Sequence, residues 1–327
     1  MYKNAFQVLK ILQESNRPVQ CEEISSQLSI SRSTVWKHIN ELRAIGYDIT
    51  AGDNSGYHLH HERMTLSPDA IYHYLKTKVI GRKMRYFEQI PSTIWLGKTI
   101  AEQGGVHDLH GMVILAEEQT GGVGRMGRVW VSPHGGIWIT IILTPTIPID
   151  HLFMLTIAGS VAVAKVLRKM LDIGAVIKWP NDIMIGDKKV AGLLLELGAE
   201  EDTVNYCLLG IGIDANVSLD GFNDQIKDNI TTLSEEVEHD VDRAAILAAI
   251  LKEFETRYDL IENGEYDAIL REWKSLSSTI GRRVRVDTLR KKYEGIALDL
   301  DKNGGLVIRK DNGNIEKIIA GDLVHVN

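Results

Sequence analysis

Apolar and polar positions alternate in three different rhythms along this chain. Up to about residue 65 the period is that of short helices. Ala5 to Gln13 carries Phe6, Val8, Leu9, Ile11 and Leu12, the spacing of one amphipathic helix. Pro18 breaks it, and Glu22–Leu28 predicts a second helix whose acidic first turn suits the helix dipole. Ser29-Ile30-Ser31 predicts a tight turn, with Ser31 as N-cap of a third helix, Arg32 to Ile45, ended by Gly46. Ile24, Leu28, Ile30, Val35, Ile39 and Leu42 form the expected shared core. Tyr47–Leu59 predicts a hairpin whose tip, Asp53-Asn54-Ser55-Gly56, supplies turn chemistry.

From 66 to 275 buried strands and longer helices take over. After a connecting stretch that begins at Met64, Ser67-Pro68-Asp69 opens a helix through Leu75, and Arg85–Gln89 is a short strand. Ser92 suits the cap of a helix to about Gln103, stopped by Gly104-Gly105. Met112–Ala116 and Ile137–Leu143 are apolar runs, the second apolar on both faces and therefore a buried strand. His151–Leu171 is a long amphipathic helix that Gly174 ends. Ala175–Trp179 is a strand, Ile183–Ile185 and Lys189–Leu197 a hairpin, and Val204–Ile213 a further strand. Asp240–Glu262 and Glu265–Trp273 return to helical spacing.

From Ile280 the rhythm becomes alternation, at Val284–Val286, Gly295–Leu300, Leu306–Ile308, Ile315–Ile319 and Leu323–Val326, with hairpin turns at Asn303-Gly304 and Asn312-Gly313. This predicts a small β-barrel over 276–327. The whole is an α+β chain of three domains, 1–65, 66–275 and 276–327.

Composition narrows the setting. The 327 residues are 44% hydrophobic and 25% charged, as in ordinary globular proteins. The first residues lack the apolar stretch and cleavage site of a secretory signal, and the uncharged run Leu152–Ala164 is too short for a bilayer. No membrane partner is expected. Cys21 and Cys207 fall in different domains, so no disulfide framework is expected and a reducing cytoplasm is the expected location. Residues 1–65 hold seven basic and seven acidic side chains, residues 66–275 hold 20 and 30, and residues 276–327 hold ten and seven. The acidic middle excludes nucleic-acid binding by bulk charge. Any DNA contact must come from placed groups.

Two short helices, a tight turn and a third helix with polar and basic residues at its start match a DNA-reading helix. Ser31, Arg32, Ser33, Thr34, Lys37 and His38 are its candidate contacts. The pattern resembles the winged helix-turn-helix of bacterial regulators; small three-helix domains also serve as protein contacts. Neutral charge over 1–65 points to modest affinity per copy, and so to two half-sites on a dimer.

The chemistry concentrates between Glu117 and Trp130, EEQTGGVGRMGRVW. Its glycines allow close approach of backbone to ligand, and Arg125 and Arg128 offer planar donor forks for phosphate or carboxylate. A glycine-rich surface loop with two solvated arginines would read the same way. Lys178-Trp179-Pro180-Asn181-Asp182 is more pointed, because it sets a lysine at the end of an apolar strand. Asn181 and Asp182 also suit turn chemistry, and Ser92 and Thr93 suit capping. Ala191-Gly192 is small enough for a flat ligand. No cluster with metal-ligand spacing is present.

Gln119 with GGVGRMGRVW, KWPNDI at 178–183, KVAGLLLE at 189–196 and GIGIDANV at 210–217, in this order, resemble the biotin–protein ligases. The N-terminal segment makes the likeness one to the bifunctional form that also represses the biotin operon. The resemblance implies a central mixed-sheet α+β domain like that of class II synthetases and an SH3-like C-terminal barrel. It implies that biotin's carboxylate attacks the α-phosphate of ATP, and that a lysine of a carboxylase carrier domain then attacks the resulting biotinyl-5′-adenylate. Arg125 and Lys178 would be catalytic. Ser92, Thr93, Gln119, Val123, Gly124, Arg125, Lys178 and Gly192 would line the biotin site, and Arg128, Trp130, Asn181 and Asn216 the nucleotide site. Mg²⁺ would accompany ATP, and the liganded protein would dimerise through its central sheet on operator DNA, the carrier domain competing for that surface.

Two positions depart from the family pattern. Val123 stands where the loop usually has its first arginine, and Ile94 where Asn commonly follows Ser-Thr. The first implies a looser hold on the adenylate. A ligand-sensing repressor without ligase activity is disfavoured by Lys178 and Arg125. A lipoate or octanoate enzyme on the same fold is disfavoured by KWPND beside a DNA reader. Arg282, Arg283, Arg285, Arg290, Lys291 and Lys292 read as a solvated face that could alternatively touch ATP or the carrier.

Overall fold

The computed structural model describes all residues except 1–2, 14, 16, 45–48, 53–55, 60–65, 201–202, 289–290 and 327. The end of the third helix at Ile45 and Gly46, Tyr47, the hairpin tip Asp53-Asn54-Ser55, Met64 and Arg290 therefore lie outside the described residues, as does the boundary at 65. The chain divides into two compact units, Met1–His73 and Tyr74–Asn327.

In the first unit α1 (Lys3–Gln13), α2 (Cys21–Leu28) and α3 (Arg32–Ala44) precede a hairpin of β1 (Ile49–Gly52) and β2 (Gly56–Leu59). Val8, Leu9 and Leu12 meet Ile24, Val35, Ile39 and Leu42, all buried. The turn between α2 and α3 is fixed locally. Ser29 takes a left-handed φ of 53°, the Ile30 amide donates to the Ser25 carbonyl at 3.1 Å, and the Thr34 amide donates to Ser31 Oγ at 3.2 Å. Ser31 thus caps α3 as its sequence position predicts. The hairpin is tied in by a bridge from Val19 to Tyr57. A last helix, α4 (Pro68–Tyr74), starts with Ser67 Oγ accepting from the Ala70 amide.

The second unit is built on a seven-stranded mixed sheet in the order β3-β4-β5-β9-β8-β7-β6. The strands are β3 (Met84–Ile90), β4 (Val113–Gln119), β5 (Ile137–Leu143), β6 (Ala175–Lys178), β7 (Asp182–Ile185), β8 (Lys188–Glu200) and β9 (Thr203–Ile213). Among the described strand pairs only β3 and β4 run parallel. Side chains alternate across each strand, and this alternation assigns the helices to faces. A Cβ on Gly97 of α5 (Thr93–Glu102) would meet Leu208, Thr140 and Ile114. One on Gly159 of α6 (Met154–Leu171) would meet Leu193 and Leu209. Leu208 and Leu209 are neighbours, so α5 and α6 cover opposite faces.

On the α6 face, α7 (Asp224–Lys227) and α8 (Leu233–Val237) lead into α9 (Arg243–Glu262) and α10 (Tyr266–Leu276), and α9 and α10 pack on α6. Segment Ile149–Leu171 has the length and hydropathy of a membrane span, but 72% of its apolar window is buried inside the fold, as befits a core helix. Asp172, with φ of 55°, ends α6 in the left-handed region; the expected Gly174 does not. Arg243 at the start of α9 donates to buried Glu117 at 2.8 Å and to the Gly136 carbonyl at 2.9 Å, which pins α9 to the strands on either side of the glycine loop. Removing one partner of such a pair costs about 3–5 kcal/mol.

Five further strands, β10 (Arg283–Asp287), β11 (Lys292–Leu300), β12 (Leu306–Arg309), β13 (Ile315–Ile318) and β14 (Asp322–His325), form an antiparallel sheet in the order β13-β12-β11-β10-β14. The predicted barrel is thus an open one, with no ladder joining its edge strands among the described residues.

Candidate functional site

A row of missing side chains opens the α5 face of the sheet. Gly192 on β8 lies opposite Gly212 on β9, and the next row pairs Leu194 with Gly210 and Gly210 with Thr140. Three glycines here leave a floor where three side chains would otherwise stand. Above it lies a cavity of about 560 Å³, walled by the N-terminus of α5, the loop after β4, the Lys178–Asp182 turn and the edge of the C-terminal sheet where Asp287 meets Asp322–Val324. Eleven of the twelve predicted ligand residues reach it: Ser92, Thr93, Gln119, Val123, Gly124, Arg125, Arg128, Trp130, Lys178, Asn181 and Gly192.

One end is a chain of polar groups running in a single donor direction. Thr140 Oγ1 donates to Thr93 Oγ1 at 2.9 Å, Thr93 Oγ1 to Gln119 Oε1 at 3.0 Å, Gln119 Nε2 to Ser132 Oγ at 3.0 Å, and Ser132 Oγ to the Trp130 carbonyl at 3.0 Å. The Thr93 amide also donates to Gln119 Oε1, at 2.8 Å, which fixes the amide's orientation. Ser92 holds the cap position of α5 but its side chain makes no capping bond. Its Oγ is buried and has no partner among the described residues, so it is not the cap its place in the sequence predicts. A buried unpaired hydroxyl costs about 1–3 kcal/mol. On a cavity wall, that cost is recovered when a ligand bonds to it.

The other end is aromatic and ionic. Trp130 lies so close over Gly212 that a Cβ there would sit 2.6 Å from its Nε1, and it meets Trp138 edge-on at 6.5 Å. Lys189 Nζ stands 4.9 Å above the Trp130 ring and 2.6 Å from Asp182 Oδ1. Such placement suits a flat ring sliding onto the indole.

Four cations line this one cavity: Arg125, Arg128, Lys178 and Lys189. The loop that carries the first two is a closed structure, not a free flap. The Trp130 amide donates to the Gly122 carbonyl at 2.9 Å and the Gly124 amide to the Arg128 carbonyl at 2.8 Å, with Met126 and Gly127 at positive φ on the tip. Arg125 Nη1 donates to Asn181 Oδ1 at 3.1 Å and to the Gly321 carbonyl at 3.3 Å. Arg128 pairs with Asp322. Burial pulls the Arg125 guanidinium below its ordinary range, while Asp322 and Asp182 act the other way. No group of three His, Cys, Asp or Glu able to hold a metal is found among the described residues.

The sequence missed several walls. Gly210, Gly212 and Lys189 lie inside the quoted motifs but carried no assigned role, and Thr140 and Asp322 had no signal at all; Ser132, behind Gln119 in the hydrogen-bond chain, had none either. Asn216 is a correction. Its side chain is used on the Val241 backbone, Nδ2 donating to the carbonyl at 2.9 Å and Oδ1 accepting from the amide at 2.8 Å, and it does not line the cavity.

On α3, Arg32, Ser33 and Lys37 are exposed, Thr34 is half-buried and Ser31 is engaged in capping. Arg32 pairs with Glu22 at 2.9 Å and Lys37 with Glu41 at 3.9 Å. His38 is the second correction. It is 6% exposed, with Nδ1 2.8 Å from Glu41, because its position falls on the side of the helix that packs inward. In the C-terminal sheet Arg283 is taken by Glu294 and Asp311, and Arg285 and Lys292 by Asp287, as a solvated face requires.

Family profiles match three stretches: an HTH domain over residues 4–58, the biotin/lipoate A/B protein ligase family over 86–214, and the biotin protein ligase C-terminal domain over 279–326. The bifunctional ligase/repressor BirA of Bacillus subtilis is 39% identical over 313 residues, 95% of either chain. The chain belongs to this ligase/repressor family. The Escherichia coli bifunctional ligase/repressor is 27% identical over 92% of this chain and 91% of its own. Among solved structures, the biotin protein ligase of Aquifex aeolicus, in complex with biotin and ATP, superposes with a TM-score of 0.65 at 27% identity over 75% of this chain and all of its own.

Proposed function

We propose that this cavity joins biotin to ATP and then to a carrier lysine, and that the N-terminal unit represses transcription in response to biotin. The observation that carries the reading is the convergence of Arg125, Arg128, Lys178 and Lys189 on a cavity with a polar end and an aromatic end. The head group of biotin takes the polar end, against Ser92, Thr93 and Gln119. Adenine takes the Trp130 end over Gly192 and Gly212. The carboxylate and the α-phosphate then meet between Arg125 and Lys178. Neutralising both anions there removes the main barrier to their approach. A carboxylate oxygen bonds to the α-phosphorus, the bond to the bridging oxygen breaks, and pyrophosphate leaves with Arg128 beside it. In the second step the neutral amine of the carrier lysine attacks the anhydride carbonyl, and AMP departs as the amide forms. No side chain of this protein becomes covalently attached.

Mg²⁺, bound with the nucleotide, would supply positive charge that offsets the phosphates. Asp182, Asp287 and Asp322, the carboxylates that line the cavity, are paired with Lys189, with Arg285 and Lys292, and with Arg128, so among the described residues the ion would be held mainly by the phosphates themselves. The acceptor is the biotin carboxyl carrier domain of acetyl-CoA carboxylase or a related carboxylase. The liganded chain forms a homodimer through its central sheet, binds operator DNA through α3, and is drawn off by the carrier domain, which competes for the same surface. The domain limits 1–65, 66–275 and 276–327 and a cytoplasmic location belong to the same proposal. The chain is to be incubated with ATP, biotin and a carrier domain, with lipoate as the parallel acyl donor. A carrier mass increased by biotin less one water, and unchanged with lipoate, supports the reading. Lipoylation, or no gain with either acid, contradicts it.

A further inference from the structure

The exposed face of α3 has an apolar centre. Arg32, Ser33, Trp36, Lys37 and Asn40 fall within one arc of the helix at 100° per residue, and Val35, Ile39 and Leu42 occupy the opposite side in the core. Trp36 is near the middle of that arc and is 60% exposed, the most exposed tryptophan of the described residues. No carboxylate falls inside the arc. Glu22 and Glu41 flank it, holding Arg32 and Lys37 from the side. An exposed indole between two cations offers a partner a large apolar ring beside charge. Arg43 also falls inside the arc, its guanidinium bonded to the Ile49 carbonyl and to Asn40 Oδ1; three cations neutralise few phosphates, and the indole between them is apolar surface that can add affinity.

The major groove presents one apolar handle, the 5-methyl group of thymine. We infer that Trp36 is a base-reading residue of this protein, packing its indole against a thymine methyl group in the operator while Arg32 and Lys37 hold the flanking phosphates. The inference rests on the operator-binding reading above and takes the place in the contact set that buried His38 vacates. An apolar contact displaces no counterions, so its loss lowers affinity without changing salt dependence, whereas each lost phosphate contact reduces the salt slope by about one.

The test uses the full chain with biotin and ATP present. A pool of randomised duplexes is selected on the wild-type protein, and the enriched duplex is then measured against wild type, Trp36→Ala and Arg32→Ala over a range of salt. Each thymine of that duplex is replaced in turn by uracil, which removes only the methyl group. Expected for Trp36→Ala are about a tenfold loss of affinity, the scale of one base-edge contact, an unchanged salt slope, and unchanged biotin transfer. One uracil position should weaken the wild type and leave Trp36→Ala indifferent, while Arg32→Ala keeps the uracil effect and loses slope. Trp36→Ala binding like wild type, or losing affinity with no coupled thymine, overturns the inference and leaves operator binding standing. A change in oligomeric state without a coupled thymine overturns it too, in favour of a protein contact. Enrichment of no duplex by the wild type overturns the operator reading itself, and this inference with it.

Discussion

Arg125 donates to the side-chain oxygen of Asn181 at 3.1 Å, and Asn181 donates from Nδ2 to the Leu193 carbonyl at 2.7 Å. A loop arginine is thereby referenced to a sheet strand through one buried amide. The Leu193 amide closes the arrangement on the Asn181 carbonyl at 3.0 Å. Asn181→Ala removes the side-chain acceptor and leaves the Leu193 carbonyl unpaired. Because misplacement of a reacting group by about 1 Å costs on the order of a hundredfold, biotin-dependent ATP–pyrophosphate exchange should fall by about 10- to 100-fold. Exchange at the parent rate would show that Arg125 finds its place without Asn181.

Asp322 holds Arg128 from the C-terminal sheet, with side chains 29% and 64% exposed. Pairs this open are worth about 0.2–1 kcal/mol. The contact's effect is to keep a long, exposed side chain at the cavity mouth before ATP arrives. Asp322→Ala should therefore raise the KM for ATP by about two- to fivefold, with the affinity for biotin alone unchanged. Equal shifts for both ligands in steady-state kinetics would mean that the sheet is holding the whole loop and not one arginine.

The helix-turn-helix was legible because each signal was local: Pro18 as a break, Ser31 as a cap, and a helical run of core residues. The strands of the central sheet were legible for the same reason, as apolar runs between turns. Their order was not, since pairing β5 with β9 joins positions some 70 residues apart and leaves no trace in spacing. The loop, KWPND and the glycine motifs could be quoted as parts of one site only through resemblance. The direction of single side chains escaped: His38 lies on the inward side of α3, and Asn216, in the bend after β9, is spent on the Val241 backbone. Asp322 was invisible, because an acid at the start of a short edge strand looks like any other surface acid until the sheet is docked.

Gly212 should be intolerant of the smallest addition. Its missing Cβ would lie 2.6 Å from Trp130 Nε1, below any real contact distance, and the indole would have to lift off the floor. Overpacking of this kind costs about 1–3 kcal/mol. The cost falls on the ring to which the proposed function assigns adenine. Gly212→Ala should raise the KM for ATP about tenfold or more while calorimetric binding of biotin alone stays at the parent value. A matched loss for biotin would place Trp130 over both ligands.

Asp214 sets a stability term that should be visible in the pH dependence. It is 3% exposed, its Oδ1 has no hydrogen-bond partner among the described residues, and burial pushes its carboxyl up to about 8, with Lys189 pulling the other way. In the unfolded chain an aspartate ionises near about 3.9. Between these two values the folded protein keeps a proton that the unfolded chain has released. Stability from this group is therefore intact below the unfolded value and declines as pH rises toward the folded one. Asparagine has no proton to lose. Asp214→Asn should melt close to the parent at about pH 4.5 and a few degrees above it at about pH 8, the gap widening steadily between. Parallel melting curves across that range would mean that the carboxylate is accommodated as an anion, with Lys189 as its counter-charge.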